Sequence, residues 1–404
     1  MKIKLNRLNL SKVIPLIVLF LFVFSNFFLT GIMSISPFYF GFALFIFLSF
    51  CTISIDYKKI QFKKKYISPF YFLIVIFATY LFINTFVNKS SIKYISLLSC
   101  SLLYFLFAVT FLQNLSLNQI KNISKIYLFT SFALYACDLI YRILHPMHFR
   151  WTTAATKFYE YKFNSLMFTD TNEVAFAIMA TFAFAFYLHN EKVINIPKSV
   201  LLGFFILLVG TFSRAAIFAA LCLIFFYIFF LKTRLTVRVL LCCLLPLAIL
   251  AIFSLFSKDA SFGTKVDIIE RCISYLKTVD FIHLLFGVGI NNSIQALGGI
   301  YGHNFLVLYL IEFGLVGFIS LITLFIFFIY FEKKSFYMIL PYCIAGLSFA
   351  PYAVPYFYAC IGMIFVIEKK KMLCSKDNYS QTPIVQKPRH KVIAYLFKLN
   401  QVEK

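Results

Sequence analysis

The sequence predicts an all-α, polytopic integral membrane protein of about twelve transmembrane helices. Both termini are expected in the cytoplasm, and one large outer loop is expected to carry an amphipathic helix. Three observations carry that reading. Of the 404 residues, 62% are hydrophobic, with a mean hydropathy of +0.88, and no soluble domain holds so many apolar stretches of about 18–20 residues. The 38 Lys and Arg fall in short loops and at the two ends. That distribution orients membrane helices, and it argues against nucleic acid as the partner of a chain of net charge +23. Finally, the apolar run 200–231 is interrupted by a single charge, Arg214.

Taken in order, the chain opens on MKIKLNRLNLSK. The apolar stretch behind it is long for a signal peptide and no A-x-A site follows, so it is expected to remain as the first span. Spans are expected at about 13–31, 37–55, 68–87, 94–112, 125–143, 172–188, 197–212, 215–231, 237–256, 304–331, 336–350 and 355–368. The run 200–231 counts as two of them. As one helix it would measure roughly 48 Å against a hydrocarbon core of about 30 Å. It would also hold Arg214 in mid-bilayer at a cost of about 2.5–3.5 kcal/mol or more. A turn at Thr211-Phe212-Ser213-Arg214 removes both difficulties. With the turn, 27 of the 38 Lys and Arg lie inside and 11 outside; without it, 17 lie inside and 20 outside. Residues 1–368 then form the membrane domain and 369–404 a basic cytoplasmic tail. The 10 Cys are scattered, mostly within spans, with no C-x-x-C. They indicate neither a zinc site nor a disulfide framework and read as small apolar fillers.

Two outer segments, 144–171 and 257–303, exceed the usual loop length. In the second, Val266, Ile269, Ile273, Leu276 and Val279 recur near helical spacing, which predicts an amphipathic helix lying on the membrane surface. Gly287, Gly289, Gly298 and Gly299 then break the chain ahead of His303. The polar groups of this face are few: Arg214 at the turn, Arg271 in the long loop, His303-Asn304 before the tenth span, Asp170 with Asn172 before the sixth, and Arg150 beside Trp151, the only Trp. Arginine presents a planar, permanently charged fork suited to phosphate. Two arginines at an outer surface could hold a lipid diphosphate and neutralise the charge that grows on it as it leaves. A histidine that titrates near neutrality could take the proton of an attacking hydroxyl. The outer acids show no D-x-D, so neither a metal nor another cofactor is expected.

Each of these residues also has a plainer reading. Arg214 could anchor at the interface. Arg271 could pair with Asp267 or Glu270 on its own helix. His303 could start a helix that Asn304 caps, and Asp170 with Asn172 could cap the sixth span. Asp138 has Arg142 one turn on as a partner. Glu312 lies inside an apolar stretch, where a carboxylate is functional by default.

The stretch LLFGVGINNSIQALGGIYGHNFLVLYLIEFGLVGFISLI resembles the signature region of the O-antigen polymerase/ligase superfamily, its Wzy-type polymerases in particular. Gly287, Gly289, His303, Asn304, Leu306, Leu310, Glu312, Gly314 and Gly317 carry the likeness. GTFSRAAIFA is similar to that superfamily's Ser-Arg turn between two spans, FTDTNEVAF to its Asp-x-Asn segment, and Arg271 with Gly287 to its Arg-x15-Gly spacing. One departure is that neither Arg150 nor Arg214 has a glycine eleven positions on, so the Arg-x10-Gly spacing of the other loop has no counterpart.

The resemblance implies a glycosyltransferase of the bacterial inner membrane. Such an enzyme joins undecaprenyl-diphosphate-linked oligosaccharide units on the periplasmic face, without metal, among membrane lipids and alongside a chain-length regulator. On that basis Arg214 and Arg271 bind diphosphate and His303 serves as base. Arg150, Asp170, Asn172, Gly287, Asn304 and Glu312 bind or orient substrate. An O-antigen ligase is the nearest competing reading. A lipid-linked oligosaccharide transporter is a further one, kept open by Asp138 and Glu312.

Overall fold

The computed structural model describes residues 10–33, 36–56, 64–88, 92–149, 157–168, 170–232, 260–349, 351 and 354–381. Among them there is no strand, and a helix stands at each expected span that falls on described residues; the ninth, 237–256, lies outside them. The helices are α1 Leu10–Ser25, α2 Pro37–Asp56, α3 Lys64–Val87, α4 Ile92–Leu112 and α5 Leu117–Leu144. They continue with α6 Thr171–Asn190, α7 Lys198–Val209, α8 Arg214–Phe226, α9 Ala260–Thr278 and α10 Phe281–Phe286. The last are α11 Ser293–Ala296, α12 Phe305–Phe331, α13 Phe336–Gly346 and α14 Pro355–Gln381. Among the described residues, four stretches are long and apolar enough to cross a membrane: Lys93–Leu112, Leu117–Leu144, Thr171–Asn190 and Phe305–Phe331. Helix α14 continues past residue 368, where a span was expected to give way to the tail, and is helical as far as Gln381, the last described residue.

Helix α6 is the central post. Its sequence, TNEVAFAIMATFAFAFYLHN, is apolar all round, the pattern of a helix enclosed on every side. From Val174 to Leu188 every residue is buried. A polar knot ties it to α1 and α5: the Asn26 amide donates to Tyr127 and Ser131 at 2.9 and 2.8 Å, and Tyr135 bonds Thr181 at 2.9 Å. Such buried donors cost little only when paired. At the α4–α14 contact, a Cβ on Gly362 would lie 2.9 Å from that of Ala108, so two small residues let the backbones approach closely.

The run 200–231 folds back on itself. Ile196, just before α7, sits beside the far end of α6, where its carbonyl meets His189 Nδ1 at 2.8 Å. The turn after α7 returns to the start of α6, where Thr171 Oγ1 donates to the Thr211 carbonyl at 3.0 Å. Tyr227, following α8, is back against Phe186. The two flanks of the turn therefore lie along α6 in opposite directions, and Arg214 is the first residue of α8.

The long loop is pinned by a crossing of two backbones. Helix α12 is broken at Gly314, whose φ of 63° and ψ of −169° are not helical. Gly287 packs into the break with φ 74°; a Cβ there would lie 2.3 Å from the Glu312 carbonyl oxygen. Both positions demand glycine, by conformation and by space. The carbonyls left over by the break are used: Val288 N–H donates to Ile311 at 2.9 Å and Gly289 N–H to Glu312 at 3.0 Å. From α3 and the residue that follows it, Tyr80 donates to the Phe313 carbonyl, Asn84 to Phe286 and Asn88 to Gly287.

Candidate functional site

Four segments close over the start of α6 and leave a cavity of about 400 Å³. The first is the 3-10 turn Lys157–Tyr161 with Lys162, in the segment 144–171. The others are the turn before α8 with Ser213 and Arg214, the first turns of α9 with Thr264 and Lys265, and the approach to α12 with His303. Asn172 lines the floor, and Ser348 and Phe349, beyond α13, complete the wall. Among the described lining residues there are three cations, Lys162, Arg214 and Lys265, and no carboxylate.

A buried ion pair holds two of these segments in register. Arg142 and Asp138, one turn apart on α5, meet at 2.9 Å with side chains 1% and 0% exposed. Arg142 Nη1 also donates to the Tyr161 carbonyl at 3.2 Å and the Gly210 carbonyl at 2.9 Å. Asp138 Oδ1 accepts from Ser165 Oγ at 2.6 Å and Leu166 N–H at 2.9 Å. One pair thus fixes both the segment that carries Lys162 and the turn that carries Arg214. That role absorbs Asp138, one of the two groups, with Glu312, on which a transporter reading rests.

The sequence-predicted residues divide. Arg214, His303 and Asn172 meet at the cavity. Asp170 lies beside them: it caps α6, accepting from the Asn172 N–H at 2.9 Å, and the Asn172 amide donates to it at 3.1 Å. Asn304 caps α12, accepting from Leu306 N–H at 2.9 Å. Arg271 is not part of the described cavity wall. Its guanidinium pairs with Asp267 at 3.1 Å and donates to the carbonyls of Leu297 and Gly298 at 2.9 and 3.1 Å. It therefore clasps the glycine-rich stretch that leads to His303. Gly287 and Glu312 belong to the backbone crossing, with Glu312 wholly buried. Arg150 lies outside the described residues. Helix α9 stands where the amphipathic helix was expected. Val266, Ile269 and Ile273 are exposed, while the adjoining face, Ile268 and Cys272, is buried against Leu297, Val307 and Ile311.

Lys162 and Lys265 went unnoticed in the sequence. Their only signal was membership in a small set of cations, three in the segment 144–171 and four in 257–303. Electrostatics ties the group together. The walls around His303 withdraw it from water and hold its pKa below the ordinary imidazole value; Asp170 opposes that shift, and Lys265 and Lys162 add to it. Burial likewise lowers Lys162, with Asp170 opposing and Arg214 adding. A neutral histidine at pH 7 is thereby set beside fixed positive charge. That combination can accept a proton and stabilise a departing anion. Among the described residues no group of three or more His, Cys, Asp or Glu gathers in a way that could hold a metal ion.

No family model matches this chain, and no curated protein matches it significantly.

Proposed function

We propose that this chain is a membrane glycosyltransferase that polymerises O-antigen or a related surface polysaccharide from undecaprenyl-diphosphate-linked oligosaccharides. The observation that carries the reading is the convergence of Arg214, Lys162, Lys265 and His303 on one cavity. Support also comes from the order of the short motifs around Asp170, Arg214 and His303-Asn304, and from apolar helices compatible with a membrane protein. In this proposal the chain crosses the bacterial inner membrane about twelve times. The cavity opens to the periplasm, and the Lys333–Lys334 end faces the cytoplasm with both termini.

The chemistry follows from the residues. A hydroxyl at the non-reducing end of the incoming unit attacks the anomeric carbon of the growing chain. Its proton passes to the His303 imidazole. The bond from that carbon to the diphosphate oxygen breaks, and its electron pair leaves with the diphosphate, whose added charge meets Arg214, Lys162 and Lys265. Arg271 contributes by holding the stretch 297–299 in place, and Asn172 and Asp170 orient groups at the floor.

The test is the polysaccharide ladder of cells carrying Arg214→Ala or His303→Ala, each with normal membrane insertion. The proposal expects core bearing a single repeat unit and no ladder. Core with no O-antigen at all would instead indicate the ligase reaction, and an unaltered ladder from both variants would refute the site. Sidedness is tested separately by single cysteines in a background stripped of the native ones. Gly263, whose Cβ would meet nothing within 4 Å, should label from outside as cysteine, and exposed Lys333 should not.

A further inference from the structure

The cavity has a second kind of wall that the diphosphate reading leaves unused. Phe158, Phe212 and Phe349 line it beside the cations. The rings are braced: Phe163, Tyr159 and Phe158 form a stack, with Tyr159 and Phe158 4.3 Å apart, and Phe158 meets Phe212 at 5.7 Å. Phe349 lies 6.4 Å from the His303 ring.

Phe212 is held there against its own backbone. Its φ is 57°, in the left-handed region that glycine or asparagine fills with little strain and a bulky aromatic rarely enters. The turn does not depend on the ring. Its backbone is held by Arg142 at the Gly210 carbonyl, by Thr171 at the Thr211 carbonyl, and by Ser213 N–H on Thr211 Oγ1 at 3.2 Å. Phe212 as a whole stays 39% exposed. A strained, half-open aromatic whose packing the turn does not need is the kind of cost that gathers at functional sites.

We propose that Phe212, with Phe158 and Phe349, forms a platform on which a pyranose ring of the glycan stacks next to the diphosphate. The inference rests on the lipid-diphosphate reading above and adds the sugar subsite. A pyranose offers a face of C–H groups, weakly positive, that suits the negative face of an aromatic ring. Its hydroxyls lie around the rim, where Asn172, Ser213, Thr264 and Ser348 supply neutral polar groups. A cavity of about 400 Å³ lies in the range of small-molecule sites, about 300–1,000 Å³.

The experiment compares decaprenyl diphosphate with the same lipid bearing one glucose, galactose, N-acetylglucosamine or N-acetylgalactosamine, bound to the full chain in nanodiscs. The wild type should bind at least one sugar-bearing form roughly tenfold tighter than the bare lipid. Phe212→Gly should lose that preference, keep its affinity for the bare lipid, and melt no lower than the wild type, because glycine relieves the turn. Phe212→Leu, which keeps bulk but not the ring, and Phe158→Leu, on a separate segment, should lose the preference too. If the bare lipid binds in an Arg214-dependent way but no sugar adds affinity, or the variants keep the preference, the platform is wrong and the diphosphate reading stands. If the bare lipid does not bind, both fall. Should Phe212→Gly not fold, Phe158→Leu decides alone.

Discussion

The two ends of α6, about 30 Å apart for a 20-residue helix, handle charge in opposite ways. At the Glu191 end, cations and carboxylates pair off. Lys334 bonds Glu191, which also accepts from Tyr337 at 3.1 Å, and Lys371 meets Glu368 at 2.7 Å, which also accepts from Tyr187 at 2.7 Å. At the Asp170 end, three cations line a cavity that no described carboxylate shares, and a histidine lies among them with its pKa lowered. One end pairs Lys334 and Lys371 with carboxylates; the other gathers three cations around open space. The buried Asp138–Arg142 pair belongs to the second end but serves as its frame, bonding the backbone at Tyr161, Gly210 and Leu166 and the Ser165 hydroxyl. The difference separates charges paired at one end of the helix from charges that line a cavity at the other.

That contrast can be broken at several points. The largest effect is expected from the frame. Arg142→Ala strands a buried carboxylate, at a cost of about 3–5 kcal/mol, and releases the carbonyls of Tyr161 and Gly210. Both stability in a thermal melt and polymer formation should be lost. Next comes Arg214→Ala, which should leave the melting point near that of the wild type and cut turnover by roughly 10²–10³-fold. Arg214→Lys should recover part of it, because a lysine restores charge without the bidentate fork.

Lys265→Gln should act more gently and show in the pH profile. In the proposed reaction His303 must be neutral, so activity should fall as pH drops through its pKa, which lies below the ordinary value of about 6.5. Lys265 helps to lower that pKa, so its removal should move the acid limb toward higher pH. An unmoved limb would remove His303 from the role of base. The smallest effect is expected at the far end. Lys334→Gln breaks a partly exposed pair and should change stability by less than about 1 kcal/mol and activity hardly at all.

What the sequence made legible was local. Apolar periodicity located the helices, and the one charge in the run 200–231 located the turn that Phe212 and Ser213 now occupy. Spacings of four paired Asp138 with Arg142 and Arg271 with Asp267. The caps at Asp170 and Asn304 follow from residue type and position. What was not legible is long-range. The glycine spacing around Gly287 and Gly314 was visible, but not that two backbones cross there. Arg271 could be matched to its near carboxylate, but the carbonyls of Leu297 and Gly298 that fix its role lie 26 and 27 positions on. Lys162 and Lys265 carry no motif, and only the closure of four segments over α6 brings them to Arg214.

The central claim, that this cavity holds a lipid diphosphate, is tested most directly by binding decaprenyl diphosphate to the purified chain in nanodiscs. Three proteins suffice: wild type, Arg214→Ala and Lys334→Ala. The account predicts that Arg214→Ala weakens binding at least about tenfold and that Lys334→Ala matches the wild type. Equal weakening by both variants, or none by Arg214→Ala, would contradict it.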